Sequence, residues 1–204
     1  MVTVENADWE AINEWLQPKT SDYWVEAPSL TQKVFLKTTA QEVLFGGAAG
    51  GGKSSALLMA ALQYVDVPNY SAILFRRTYA DLALPGALMD RFRDWISNYD
   101  DIHWNANQYT ATFPSGARVT FGYLNNSQDY LRYKGSEFQF IGMDEVTEIR
   151  EADYRYLFSR LRRPSTGPLS TVPLRMRAAT NPAPNWVRQR FLVEGNEKGR
   201  IFVP

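Results

Sequence analysis

Gly47, Ala48, Ala49, Gly50, Gly51, Gly52, Lys53 and Ser54 fit the pattern G-x-x-x-x-G-K-[ST]. Glycines at these places let a backbone curl until successive N–H groups point inward at phosphate oxygens. A helix starting near Lys53 adds its positive N-terminal end. Lys53 is then placed to reach β- and γ-phosphates, and the Ser54 hydroxyl suits Mg²⁺. Ser55 follows in the same turn. A flexible glycine linker would explain the composition alone. It would not explain the apolar run Val43-Leu44-Phe45 before the glycines or the helix-forming run after them. A second group lies 91 residues beyond Lys53, where Phe138 to Met143 ends in Asp144 and Glu145. A buried strand would deliver both acids at its carboxyl end. Asp144 can accept hydrogen bonds from Mg²⁺-bound water, and Glu145 can polarise an attacking water as general base. The third group is Thr180-Asn181-Pro182, which closes the next expected strand either as an ordinary Asn-Pro turn or with two polar side chains at a strand tip that suit a γ-phosphate or an attacking water.

Three such groups need a frame that brings them together. Short apolar runs at 43–45, 72–75 and 138–143 read as buried strands, and 174–179 reads as a further strand stopped by Asn181-Pro182. Helices are expected at 8–17, 30–36, 54–65, 82–96 (with Pro85 in its first turn) and 152–161, and a β-hairpin at 108–123 turning at Pro114-Ser115-Gly116. Strands alternating with helices predict an α/β fold, a mostly parallel central sheet flanked by helices on both faces. In such sheets the ligand lies outside the carboxyl ends of the strands. With the Asp-Glu doublet, this predicts a P-loop NTPase of the ASCE or RecA-like type with a β-hairpin insertion.

The chain of 204 residues, 45% apolar and 22% charged, is ordinary for one soluble globular domain or slightly more. No apolar run approaches the ~18 residues of a membrane span, so no membrane partner is expected. The first ten residues hold three acids and no base, unlike a secretory leader. With no cysteine there is no disulfide, redox pair or thiolate zinc site. His103 is the only histidine, which removes the usual triads and most zinc chemistry. The cytosol is the default compartment. Charge is uneven along a neutral chain: residues 150–204 carry eleven bases against four acids, and the earlier residues are net acidic. The basic quarter, with Arg160, Arg162 and Arg163, is either a solvated face or a surface for an anion.

Together these residues resemble the large subunit of the terminase of tailed bacteriophages and prophages, specifically its N-terminal ATPase domain. The resemblance runs from about residue 28 to 204. It rests on Gln32 with its apolar flanks, 44–55, Leu74-Phe75-Arg76-Arg77-Thr78, Tyr133-Lys134-Gly135-Ser136-Glu137, 141–145 and 179–182. It implies a motor that hydrolyses ATP with Mg²⁺ to drive double-stranded DNA into a procapsid. A helicase-like or recombinase-like ATPase acting on single strands is the alternative. Carried over to this chain, Gln32 reads the adenine, and Lys53 and Ser54 hold the phosphates and Mg²⁺. Asp144 is the metal-associated acid and Glu145 the base. Thr180 and Asn181 couple loss of the γ-phosphate to motion. The family uses an arginine finger, in some members from the neighbouring subunit. Arg132 is the preferred candidate, with Arg76 and Arg77 behind it.

The implied partners are double-stranded DNA, a portal protein, the small terminase subunit and further copies in a ring, a pentamer when assembled. The isolated domain is a candidate monomer, and the implied location is the host cell cytoplasm. Residues 1–27 read as a helical lead-in, 28–182 as the ATPase core, and 183–204 as the start of a linker to a nuclease domain. That nuclease needs clustered metal-binding acids. Residues 183–204 hold only Glu194 and Glu197, so no nuclease activity is expected of this stretch.

Overall fold

The structure, a computed structural model, describes residues 14–47, 50–181 and 183–204. Its frame follows from the period-two alternation of its strands. In β1 (Glu42–Phe45), Val43 and Phe45 enter one core and Leu44 the other. In β2 (Ser71–Arg76), Ala72 and Leu74 go to the first core, Ile73 and Phe75 to the second. Two apolar faces require helices on both sides, and the chain supplies them. Among the described residues the sheet has eight strands in the order β3-β4-β5-β2-β6-β7-β1-β8. Here β3 is His103–Asn105, β4 Thr110–Thr112, β5 Arg118–Tyr123, β6 Phe140–Asp144, β7 Arg175–Ala179 and β8 Ile201–Val203. From β5 to β8 the neighbours run parallel, while β3, β4 and β5 pair antiparallel.

The first face is covered by α1 (Leu30–Lys37), α2 (Lys53–Leu62), α3 (Tyr79–Ala83) and α4 (Leu88–Ile96). The second is covered by α5 (Glu151–Phe158) and α6 (Trp186–Arg188), the latter continuing as a π-turn over Gln189–Val193. α1 starts with a capping box: the Gln32 N–H donates to Ser29 Oγ, and the Ser29 N–H donates to Gln32 Oε1 at 2.8 Å. α2 is rich in Ala, Leu and Met, and nine of its ten residues are buried.

Two buried arginines fix α1 against the sheet. Arg177, fully buried in β7, donates to the carbonyls of Thr38 at 2.7 Å and Ala40 at 3.0 Å, between α1 and β1. Arg175 donates to Leu36 O at 3.3 Å and Gln63 Oε1 at 2.8 Å. Burial and the nearby Arg175 pull the Arg177 pKa well below its ordinary value.

The strands expected at 43–45, 72–75, 138–143 and 174–179 are β1, β2, β6 and β7, and the expected hairpin is β4–β5. Two expectations need correction, and one strand is new. The single helix at 82–96 is two helices. Pro85 holds Leu84 extended (φ −58°, ψ 149°) and Gly86 sits at φ +74°, so the helix stops at Ala83 and restarts at Leu88. The sheet gains β3, too short and polar to show an alternation. The residues around Phe202, expected in a linker, form the edge strand β8 against β1. The helix expected at 8–17 lies mostly outside the described residues; Glu14 and Trp15 are helical.

Candidate functional site

Three strand ends stop level with one another. Phe45 of β1 and Asp144 of β6 both align with Ala179 of β7, the strand between them. The next residues, Gly46, Glu145 and Thr180, therefore leave the sheet side by side, each starting one of the three groups singled out above.

After β1 the chain turns through Gly47 (φ +106°), Gly50 (φ +80°) and Gly52 (φ +70°), backbone that other residues adopt only with strain. Gly52 has a second constraint. A Cβ there would lie 2.6 Å from Gln32 Nε2, which donates to Gly52 O at 2.9 Å. Gln32 thus braces the end of the loop while its Oε1 serves the cap of α1. Ala48 and Ala49 lie outside the described residues. Gly51 is exposed. α2 begins at Lys53 with no side-chain cap, so its first N–H groups face the loop.

Lys53 Nζ donates to Gly47 O at 3.0 Å and to Asn181 Oδ1 at 2.9 Å, closing the loop onto the end of β7. Ser54 Oγ lies 3.3 Å from both carboxylate oxygens of Asp144. A hydroxyl and a carboxylate side by side are hard oxygen donors. They fit Mg²⁺, which takes few protein ligands and keeps waters and phosphate oxygens for the rest. Among the described residues no group of three or more His, Asp or Glu could hold a metal unaided. Ser55, buried, turns the other way and accepts from Arg91 of α4 at 2.9 Å.

Asp144 is 2% exposed, and burial pushes its pKa above the usual carboxylate range. Arg76, at the end of β2, opposes that rise, its Nε donating to Asp144 Oδ2 at 2.9 Å. Glu145 has left-handed backbone (φ +48°, ψ 51°), uncommon for a non-glycine residue and a frequent mark of functional positions. Its Oε2 accepts from Thr180 Oγ1 at 3.0 Å.

The structure therefore brings together Lys53, Ser54, Asp144, Glu145, Thr180, Asn181 and Arg76. Arg77 is exposed beside them. Arg132 belongs to the 3₁₀ turn Asp129–Tyr133 and is exposed, 3.3 Å from Asp129 and over the Tyr123 ring at 4.7 Å. Tyr123 is the strand neighbour of Arg76, which puts Arg132 on the same rim of the sheet, turned to solvent. Two participants escaped the sequence reading. Arg91 contacts α2 through a helix 36 residues away. Thr147 bonds the Thr180 hydroxyl at 2.8 Å, and no spacing rule marks a threonine two residues after a glutamate.

The solved large terminase of the HK97 bacteriophage is similar in fold, with a TM-score of 0.66 at 10% identity over 95% of this chain and 43% of that one. The large terminase of a thermophilic bacteriophage, solved in complex with ADP, gives 0.62 at 14%, over 89% of this chain and 42% of that one. The N-terminal domain of the DNA packaging ATPase from bacteriophage phi29 gives 0.56 at 13%, over 81% and 91%. The chain thus spans less than half the length of the first two proteins. No curated protein sequence matches it. The model of the terminase large subunit, T4likevirus-type, N-terminal region matches residues 44–175, from the last strand before the glycines to the first residue of β7. The chain belongs to the terminase large subunit family, in its N-terminal, P-loop ATPase part.

Proposed function

We propose that this chain hydrolyses ATP with Mg²⁺, and that hydrolysis drives double-stranded DNA into a procapsid. The observation that carries the reading is the meeting of three strand ends in one cleft: Lys53 bonded to Asn181, Ser54 beside Asp144, and Glu145 held by Thr180. The large terminase of the thermophilic bacteriophage, similar in fold, is known in complex with ADP and with ATP-γ-S.

In this reading the loop 47–54 and the first turn of α2 bind the triphosphate through backbone N–H groups and Lys53. Ser54 and Asp144 would hold Mg²⁺, which supplies charge neutralisation at the β- and γ-phosphate oxygens. Glu145 accepts a proton from water in line with the γ-phosphate. An arginine neutralises charge developing on the transferred group, worth roughly 10³–10⁵ in rate. Thr180 and Asn181, touching the base and the phosphate-loop lysine, change partners when the γ-phosphate leaves. Gln32, next to Gly52, is proposed at the adenine side of the loop. The partners in this reading are duplex DNA, a portal protein, the small terminase subunit and further copies in a ring, within the host cytoplasm.

The test is ATP hydrolysis against protein concentration, with and without duplex DNA, using Lys53→Ala as the blank. Turnover above the blank that rises with duplex DNA is expected. Turnover equal to the blank at every concentration would remove the reading.

A further inference from the structure

The geometry points to Thr147 as a positioning residue for the general base, acting through Thr180; this rests on the reading of Glu145 as that base. Two hydroxyls share few protons here. Thr180 Oγ1 lies 3.0 Å from Glu145 Oε2, 2.8 Å from Thr147 Oγ1 and 3.4 Å from Asn181 O. A hydroxyl has one hydrogen to donate and two lone pairs to accept with. Glu145, read as the base, offers an acceptor oxygen nearer than Asn181 O, so the Thr180 hydrogen points at Glu145 Oε2. With the Thr180 hydrogen on Glu145, Thr147 donates and Thr180 accepts in the bond between the threonines. The relay runs Thr147 → Thr180 → Glu145, each bond polarising the next.

Thr180 alone leaves this arrangement under-determined. Its hydroxyl can also turn to Asn181 O, which releases the base. A donor at Thr147 occupies a lone pair of Thr180 and restricts its hydrogen to Glu145 Oε2 at 3.0 Å or Asn181 O at 3.4 Å, of which the carboxylate is the nearer and stronger acceptor. Thr180 is fully buried, so no water competes for that lone pair without a rearrangement.

The backbone explains why Thr147 stands there. The left-handed Glu145 folds the chain back into the 3₁₀ turn Val146–Glu148, which places the Thr147 side chain over the end of β7. The turn is held from its other side. Asn185, the N-cap of α6, donates through Nδ2 to Thr147 O at 3.4 Å, and Trp186 Nε1 donates to Ile149 O at 2.9 Å. The carboxylate of Glu145 is thereby oriented by groups from three segments: its own turn, the end of β7 and the start of α6. A displacement of about 1 Å at a reacting group can cost on the order of 10²-fold in rate.

The test compares Thr147→Val, Thr147→Ala and Thr147→Ser with the unmodified chain and with Glu145→Gln, in steady-state ATP hydrolysis and in equilibrium binding of a fluorescent ATP analogue. Valine keeps the shape and removes the donor; alanine removes it without bulk; serine restores it. The expected result is kcat about tenfold lower in Thr147→Val and Thr147→Ala, KM and nucleotide affinity within about twofold, and recovery to within about twofold in Thr147→Ser. Unchanged affinity shows that the variants are folded. Full turnover in Thr147→Val and Thr147→Ala, or a serine variant as slow as alanine, overturns the proposal while leaving Glu145 as base. Full turnover in Glu145→Gln overturns both.

Discussion

Lys53 carries two tasks: its ammonium closes the phosphate loop through Gly47 O and ties that loop to Asn181. Lys53→Ala is therefore expected to lose tight nucleotide binding, read by titration with a fluorescent ATP analogue; affinity close to that of the parent would show that the backbone amides suffice. Glu145→Gln keeps the shape of the base and removes its capacity to take a proton. Binding should persist while turnover falls by roughly 10²–10⁴, the range of general base catalysis. Asp144 separates stability from function. Its raised pKa means that burial disfavours the ionised carboxyl relative to the unfolded chain. An amide mimics the neutral form, so Asp144→Asn should melt at or above the parent temperature without nucleotide and still lose Mg²⁺-dependent turnover. A melting point several degrees lower would mean that the Arg76 pair stabilises more than burial costs. These residues were legible because phosphate chemistry demands fixed types at fixed spacing: glycines before Lys53-Ser54, acids after an apolar strand. Thr147, Arg91 and Arg177 were not. Their roles depend on partners 33, 36 and up to 139 residues away, which only the fold brings near.

The elements that hold these side chains are legible where burial is two-sided and hidden where it is not. β1, β2 and β6 stand out as short apolar runs, and β7, equally buried, carries Arg175 and Arg177 among its apolar residues. β8 is an edge strand of three residues, paired with β1 through the backbone and flanked by an ionic cluster at Glu42. Glu42 of β1, buried, accepts from Arg190 at 2.8 Å and 3.0 Å, from Arg200 at 3.1 Å and from the Tyr154 hydroxyl at 2.9 Å. Burial and the Glu42 carboxylate hold the Tyr154 phenol well above its usual pKa, so it stays a donor. Four polar groups from four stretches of chain make a contact that no local pattern records. Glu42→Gln would leave two largely buried guanidinium groups beside a neutral amide. Breaking such a cluster costs about 3 kcal/mol, which in a domain of this size lowers Tm by about 10 °C. Thermal unfolding followed by circular dichroism checks it, and a loss under about 3 °C would mean that β8 is held by its backbone pairing with β1 instead.

The whole molecule presents the cleft proposed for nucleotide at one rim of the sheet, and the arginines divide along that rim. Arg76 is turned inward onto Asp144; Arg132 is turned outward over Tyr123. An inward arginine can serve only its own site. An outward one, on a 3₁₀ turn beside the cleft, can serve the site of a neighbouring copy in a head-to-tail ring. Mixing variants separates the two. Arg132→Ala subunits keep an intact phosphate loop, and Lys53→Ala subunits keep an intact Arg132. Each should be nearly inactive alone. Mixed, the second can offer its arginine to the first, so ATP hydrolysis should reappear and pass through a maximum as the ratio is varied at constant total protein. Arg76→Ala mixed with Lys53→Ala should stay inactive at every ratio, because its missing group is needed within the same subunit. Recovery in the Arg76→Ala mixture and none in the Arg132→Ala mixture would reverse the assignment and make Arg76 the group that crosses between subunits.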